Sequence, residues 1–144
     1  MQRITMAARY RGEAAAPAGE PPQTDPRASS VSIEAVTADG SDAGIERASY
    51  ENHVVYTGES TFSETGTISF GDGELEIASL SDGTLGPSAD PEVLHGVVAY
   101  RITAGRGRFE GASGLITSNF LLWPAKGEFE ERQVAIMFVG DAGG

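Results

Sequence analysis

The chain has 144 residues, no cysteine, and 21 acidic against 10 basic side chains, a formal net charge of −11. Without cysteine, disulfide frameworks, thiolate-bound zinc, iron–sulfur clusters and thiol nucleophiles are excluded. A domain this acidic, with no basic stripe, matches neither a phosphate backbone nor anionic lipid, so no nucleic acid and no membrane is an expected partner. The length suits a single domain over 1–144, at ~100–200 residues per domain.

The first ten residues, MQRITMAARY, hold Arg3 and Arg9 and lack the apolar run of a secretory signal. No window approaches the ~20 apolar residues of a membrane-spanning helix, and the expected location is the cytoplasm. Residues 3–10 alternate Ile4, Met6, Ala8 and Tyr10 with Arg3, Thr5, Ala7 and Arg9, the period of a strand. Residues 11–30 carry four of the seven prolines and almost nothing large and apolar, which predicts a mobile Pro/Ala-rich loop, either a connector or a lid over a cavity mouth. Strand patterns follow at 31–37, 53–62 (with Gly58 marking a bulge or bend), 65–70 and 74–80, with 45–50 a short strand or loop. The Asp72-Gly73 pair reads as a hairpin turn and 84–91 as a Pro/Gly-containing loop. Residues 93–104, 115–123 and 132–139 complete the set. No helical period of ten residues stands out. Eight to nine short strands with Gly, Asp and Ser turns predict an all-β protein, a small antiparallel eight-stranded barrel that closes away its own edges.

In 94–104 one face carries Leu94, Gly96, Val98, Tyr100 and Ile102, which is read as the inner one. The last two strands are apolar on both faces, so something covers the outer one. That cover is a second copy, with a homodimer the simplest case, or the N-terminal segment. A barrel of eight strands is just wide enough to be filled by its own side chains or to hold one small ligand. Tyr56, Phe62, Tyr100, Phe120 and Trp123 suit both arrangements. Glu34, Glu76, Ser79, Ser118 and Asn119 among them point to a cavity, since a dry core rarely buries several polar groups.

Residues 105–114, GRGRFEGASG, have the spacing G-x-G-x-F-x-G-A-x-G and lie between two strands. A strand follows where the dinucleotide fingerprint requires a helix, so the run is a tight connection with Phe109 as a plug for the barrel end. With the preceding Tyr100-Arg101-Ile102-Thr103, the run resembles the late glycine-rich turn of allene oxide cyclase-like and dirigent-like barrels, closely over 97–120. The resemblance extends to spirotetronate-type [4+2] cyclases. It implies cofactor-free work in a greasy cavity, in which a linear polyketide- or fatty-acid-like substrate is shaped for ring formation.

Conventional catalytic signatures are absent from the text. His53 and His95 fall on different strands with no H-x-H or H-E-x-x-H spacing, so no metal site is expected. No G-x-S-x-G elbow is present. The candidate catalytic residues are Tyr100 and Tyr56, whose hydroxyls can polarise a substrate carbonyl, and Glu76 (or Glu34), if inward, as general acid or base. Phe62, Val98, Ile102, Phe120, Trp123, Ser118 and Asn119 are the candidate substrate contacts. Glu128, Glu130, Glu131 and Asp141 are read as a solvated face and tail. Three functions stay open: a cofactor-free cyclase or isomerase, a non-catalytic carrier of apolar ligands, and a filled barrel with a structural role.

Overall fold

A computed structural model describes residues 1–140. The alternating segments form ten strands: β1 (Gln2–Glu13), β2 (Gln23–Thr24), β3 (Arg27–Thr37), β4 (Ser49–Tyr56), β5 (Thr61–Ser69), β6 (Gly73–Ser79), β7 (Gly83–Pro87), β8 (Leu94–Gly107), β9 (Ser113–Trp123) and β10 (Glu128–Val139). Eight of them close a ring of antiparallel neighbours in the order β1-β10-β9-β8-β6-β5-β4-β3, with β3 returning to β1. The short strands β2 and β7 stand outside the eight. β2 pairs with the end of β4 beyond β3, and β7 bridges β5 and β8 beyond β6. The expected all-β, eight-stranded antiparallel barrel is the fold.

Strand boundaries differ from the sequence reading in informative places. Of 11–30, β1 takes residues up to Glu13 and β3 begins at Arg27, because alternation continues through small side chains there. Residues 53–62 form two strands, joined by a turn in which the Thr57 amide donates to the Thr61 carbonyl at 3.0 Å. The Pro/Gly stretch 84–91 holds β7, whose Gly83 faces the Phe62 ring so closely that no Cβ would fit.

The lumen is layered. At one end Phe109 is fully buried and stacks on Phe70 with ring centroids 4.8 Å apart. Arg108 lies over the Phe109 ring and donates to the Ala43 carbonyl. This is the plug expected of the 105–114 turn, in which Gly107 and Gly111 take left-handed φ of 61° and 75°. Above it Ile4, Met6, Ile68, Leu75, Ile77, Ile116 and Met137 make the dry core. The opposite end is open.

Candidate active site in the open end of the barrel

The inward phase of β5 brings Phe62, Glu64 and Ile68 inside, and that of β10 brings Phe129, Glu131, Gln133, Ala135 and Met137. Two carboxyls therefore enter the lumen from opposite walls, Glu64 7% and Glu131 3% exposed. Around them stand Tyr10 on β1, Tyr50 and Asn52 on β4, Tyr100 on β8 and Ser118 on β9. Each carboxylate oxygen is engaged. The Tyr100 hydroxyl donates to Glu64 Oε1 at 2.8 Å and Asn52 Nδ2 to Glu64 Oε2 at 2.5 Å. Tyr50 and Ser118 donate to the two oxygens of Glu131. Asn52 reaches Glu64 because its amide lies flat against Gly66, where any Cβ would overlap it.

Tyr50, Glu64, Tyr100 and Glu131 of this girdle line a cavity of about 60 Å³. The walls are apolar: Val54, Phe62, Leu85, Phe120, Leu122 and Phe129, with Tyr50, Tyr56 and Tyr100. Ala14, Thr24 and Pro26, from the segment that joins β1 to β3, complete the rim. That segment is tied across the mouth: the Ala14 amide donates to the Gly127 carbonyl at 2.8 Å, the Tyr56 amide to Pro22 at 2.9 Å and the Asn52 amide to Pro26 at 3.0 Å.

Burial governs the electrostatics. Loss of solvent, then the charge of Glu131, push Glu64 up to about 7 from the ordinary 4.5, against the stabilising donors Asn52 and Tyr100. Glu131 is also raised by burial, opposed by its hydrogen bonds from Ser118 and Tyr50. Both carboxyls are thus easier to protonate than free ones, and the two titrate as a coupled pair. The arrangement unites two raised carboxyls and two tyrosine hydroxyls in a pocket with apolar walls, groups suited to general acid–base chemistry on an apolar molecule.

Several residues singled out from the sequence meet here: Tyr100, Tyr56, Phe62 and Phe120 line the cavity, and Ser118 holds Glu131. Val98 and Ile102 are buried inside the barrel but are not among the cavity-lining residues. Glu76 lies outside, on the phase opposite the buried Leu75 and Ile77, and pairs with Arg106. Glu34 is likewise on the outer face. Asn119, one residue from Ser118, points outward to His95 Nε2 at 2.6 Å. Trp123 lines a shallow outer groove with Arg11 and Lys126. Asp141 lies outside the described residues. Among the described residues, no group of three or more His, Asp or Glu side chains is placed to hold a metal ion, and no helix is long and apolar enough to cross a membrane.

Gly96 sets the cavity's width. A Cβ there would overlap the Phe120 ring, which lies flat over the glycine on the neighbouring strand. Gly96→Ala is expected to swing that ring into the lumen, weakening binding of any cavity ligand by tenfold or more while the far-ultraviolet circular dichroism keeps its β signature. Unchanged binding would show that Phe120 has somewhere else to go.

The fold and site thus define an eight-stranded barrel whose open, aromatic-lined end terminates on two buried carboxyls. No family model, curated protein or solved structure matches the chain.

Proposed function

We propose that the barrel admits an apolar small molecule, polyketide- or fatty-acid-like in its carbon skeleton, and acts on it as a cofactor-free cyclase or isomerase. One observation supports this above the others: a cavity with apolar walls ends on a pair of carboxyls buried beside tyrosines. A filled barrel has no use for such a floor, because each buried carboxyl costs stability that apolar residues of the same volume would not. Holding a flexible substrate in a near-attack shape contributes up to ~7–11 kcal/mol to a ring closure, including one of [4+2] type. A positioned acid or base adds roughly 10²–10⁴-fold. The resemblance of the 105–114 turn to allene oxide cyclase-like barrels leans the same way. The setting we assign is the cytoplasm. The barrel is read as a homodimer joined through the outer face of β9 and β10, where Leu115, Val134 and Ile136 are about half exposed.

A second reading, a carrier that binds without turnover, is favoured by the girdle's self-sufficiency: all four carboxylate oxygens already accept a hydrogen bond from the protein. A fluorescent conjugated polyene tests both. Binding is read from its emission and turnover from mass spectrometry of the recovered compound. Under the catalytic reading, Tyr100→Phe lowers kcat roughly 100-fold with affinity retained. Tight binding of every polyene tried with no product from any assigns the barrel to the carriers.

A further inference from the structure

The charge and hydrogen-bond inventory of the cavity is one-sided. Its lining includes two carboxyls and six aromatic rings (Tyr50, Tyr56, Phe62, Tyr100, Phe120, Phe129) but no lysine, arginine or histidine. Arg11 pairs with Glu130 at 3.0 Å on the outer face and Arg27 lies 3.7 Å from Glu51, and neither lines the cavity. Each carboxylate oxygen accepts one protein donor and keeps a second lone-pair site. Asn52 turns its Nδ2 to Glu64 and its unpartnered oxygen toward Gly66, and the Tyr10 hydroxyl and the Gln133 amide are buried without partners as well. The floor is thus built on two carboxyls with no cation among the lining residues, and the rings above it present the π faces that attract cations.

We infer that the molecule this cavity takes carries a protonated amine at its inner end, a lipophilic monoamine seated with its ammonium between Glu64 and Glu131 and its apolar body among the rings. The inference rests on the cavity being the binding site and sharpens what enters it. An ammonium brings three N–H donors to the unused lone pairs and one positive charge to the dyad. A free carboxylate head meets two acidic groups with no cation to offset its charge, so a fatty acid does not enter head first. A neutral hydroxyl or carbonyl end fits sterically and gains only a single hydrogen bond. The groups facing Glu64 are Glu131 from β10, Tyr100 from β8, and Tyr50 and Tyr56 from β4, all uncharged or negative. Ammonium binding consequently stabilises ionised Glu64, and amine affinity rises as pH increases from 6 to 8.

The test is a matched series on the full chain by titration calorimetry: 2-phenylethylamine, 2-phenylethanol and phenylacetate, against wild type, Glu131→Gln and Glu64→Gln. The amine is expected to bind at least tenfold tighter than the alcohol, and phenylacetate at least tenfold weaker than the alcohol. In both glutamine variants the amine-to-alcohol ratio falls to about twofold or less. If the alcohol equals the amine, or phenylacetate binds best, the inference is overturned while the cavity stands as the binding site. An amine preference that survives both substitutions also overturns it, tracing the effect to the protein's overall negative charge. If none of the three binds at millimolar concentration, the reading of the cavity as a small-molecule site fails as well.

Discussion

Glu64→Gln is expected to raise the melting temperature at pH 8 by roughly 5–10 °C and leave it unchanged at pH 4. Glutamine has nearly the volume of glutamate and its carbonyl still accepts from Tyr100. With the Asn52 amide turned over, the glutamine Nε2 can donate to the Asn52 oxygen, which has no partner in the wild type, in place of the bond Asn52 gives Glu64. The gain comes from removing ionisation. Glu64 titrates at about 7 in the folded protein and near 4.5 when solvated, so the folded state binds the extra proton between those values. Stability is therefore complete below about pH 4.5 and is lost progressively as the pH rises through 7. The loss is of order 3 kcal/mol at 1.36 kcal/mol for each tenfold change in proton affinity. Glu131 acts in the same direction, because its carboxyl is raised too. Thermal melts of wild type and variant between pH 4 and pH 8 should coincide at the acid end and diverge with increasing pH. A variant that melts lower than wild type at pH 8 would falsify the claim that the buried carboxyl is a net cost to the fold. Retaining such a group against stability is what a functional site does.

Phe109→Ala should have the opposite sign and a comparable size. The ring is fully buried, stacks on Phe70, carries Arg108 on its face and packs against Gly73, where it leaves no room for a Cβ. Truncation empties the plug, and the turns around it cannot collapse inward, because Gly105 and Gly107 already bring their backbones against neighbouring main chain. A loss of about 3–5 kcal/mol is expected, a large part of the stability of a domain this size. In urea the midpoint should fall with the slope unchanged, the mark of lost stability without a changed extent of unfolding. Ligand binding at low temperature should persist, since the plug and the cavity occupy opposite ends of the lumen. A stability loss below about 1 kcal/mol would mean that Phe109 only decorates the turn.

Period-two alternation made the barrel legible, and most clearly where the two phases differ in character. In β8 the phase Leu94, Gly96, Val98, Tyr100, Ile102 was assigned inward, and all but Leu94 are buried. Ser118 and Asn119 show the limit of resolution: adjacent residues both suited to a cavity must point to opposite faces, and only Ser118 is inside. β10 hid its carboxyl for a physical reason. Its outward phase, Val134, Ile136 and Phe138, is greasier than its inward phase, Glu131, Gln133 and Ala135, so hydrophobicity alone places Glu131 in solvent. The signal that recovers it is the run Phe129, Ala135, Met137 and Val139, which shares its parity. Glu64 escaped because 53–62 read as one strand. With Gly58 taken as a turn, Phe62 and Glu64 fall on the same inward face. Glu76 carried the expectation that belonged to these two, and its parity with exposed Glu74 sends it to Arg106 instead. What alternation cannot express is which inward residues from six different strands meet at one height. That depends on stagger around the ring.

The ring is sealed by its extremes: β1 and β10 pair along all twelve residues of each, from Gln2 opposite Val139 to Glu13 opposite Glu128. During synthesis every seam that lacks β10 can zip while β10 is still inside the ribosome, but this one, spanning more than a hundred residues, cannot. Seams so distant along the chain form slowly. Since Glu131 arrives on that final strand, a nascent chain holds only half of the carboxyl pair. The carboxyl pair comes together in the same event that shuts the cylinder, so a chain still short of β10 has no finished pocket.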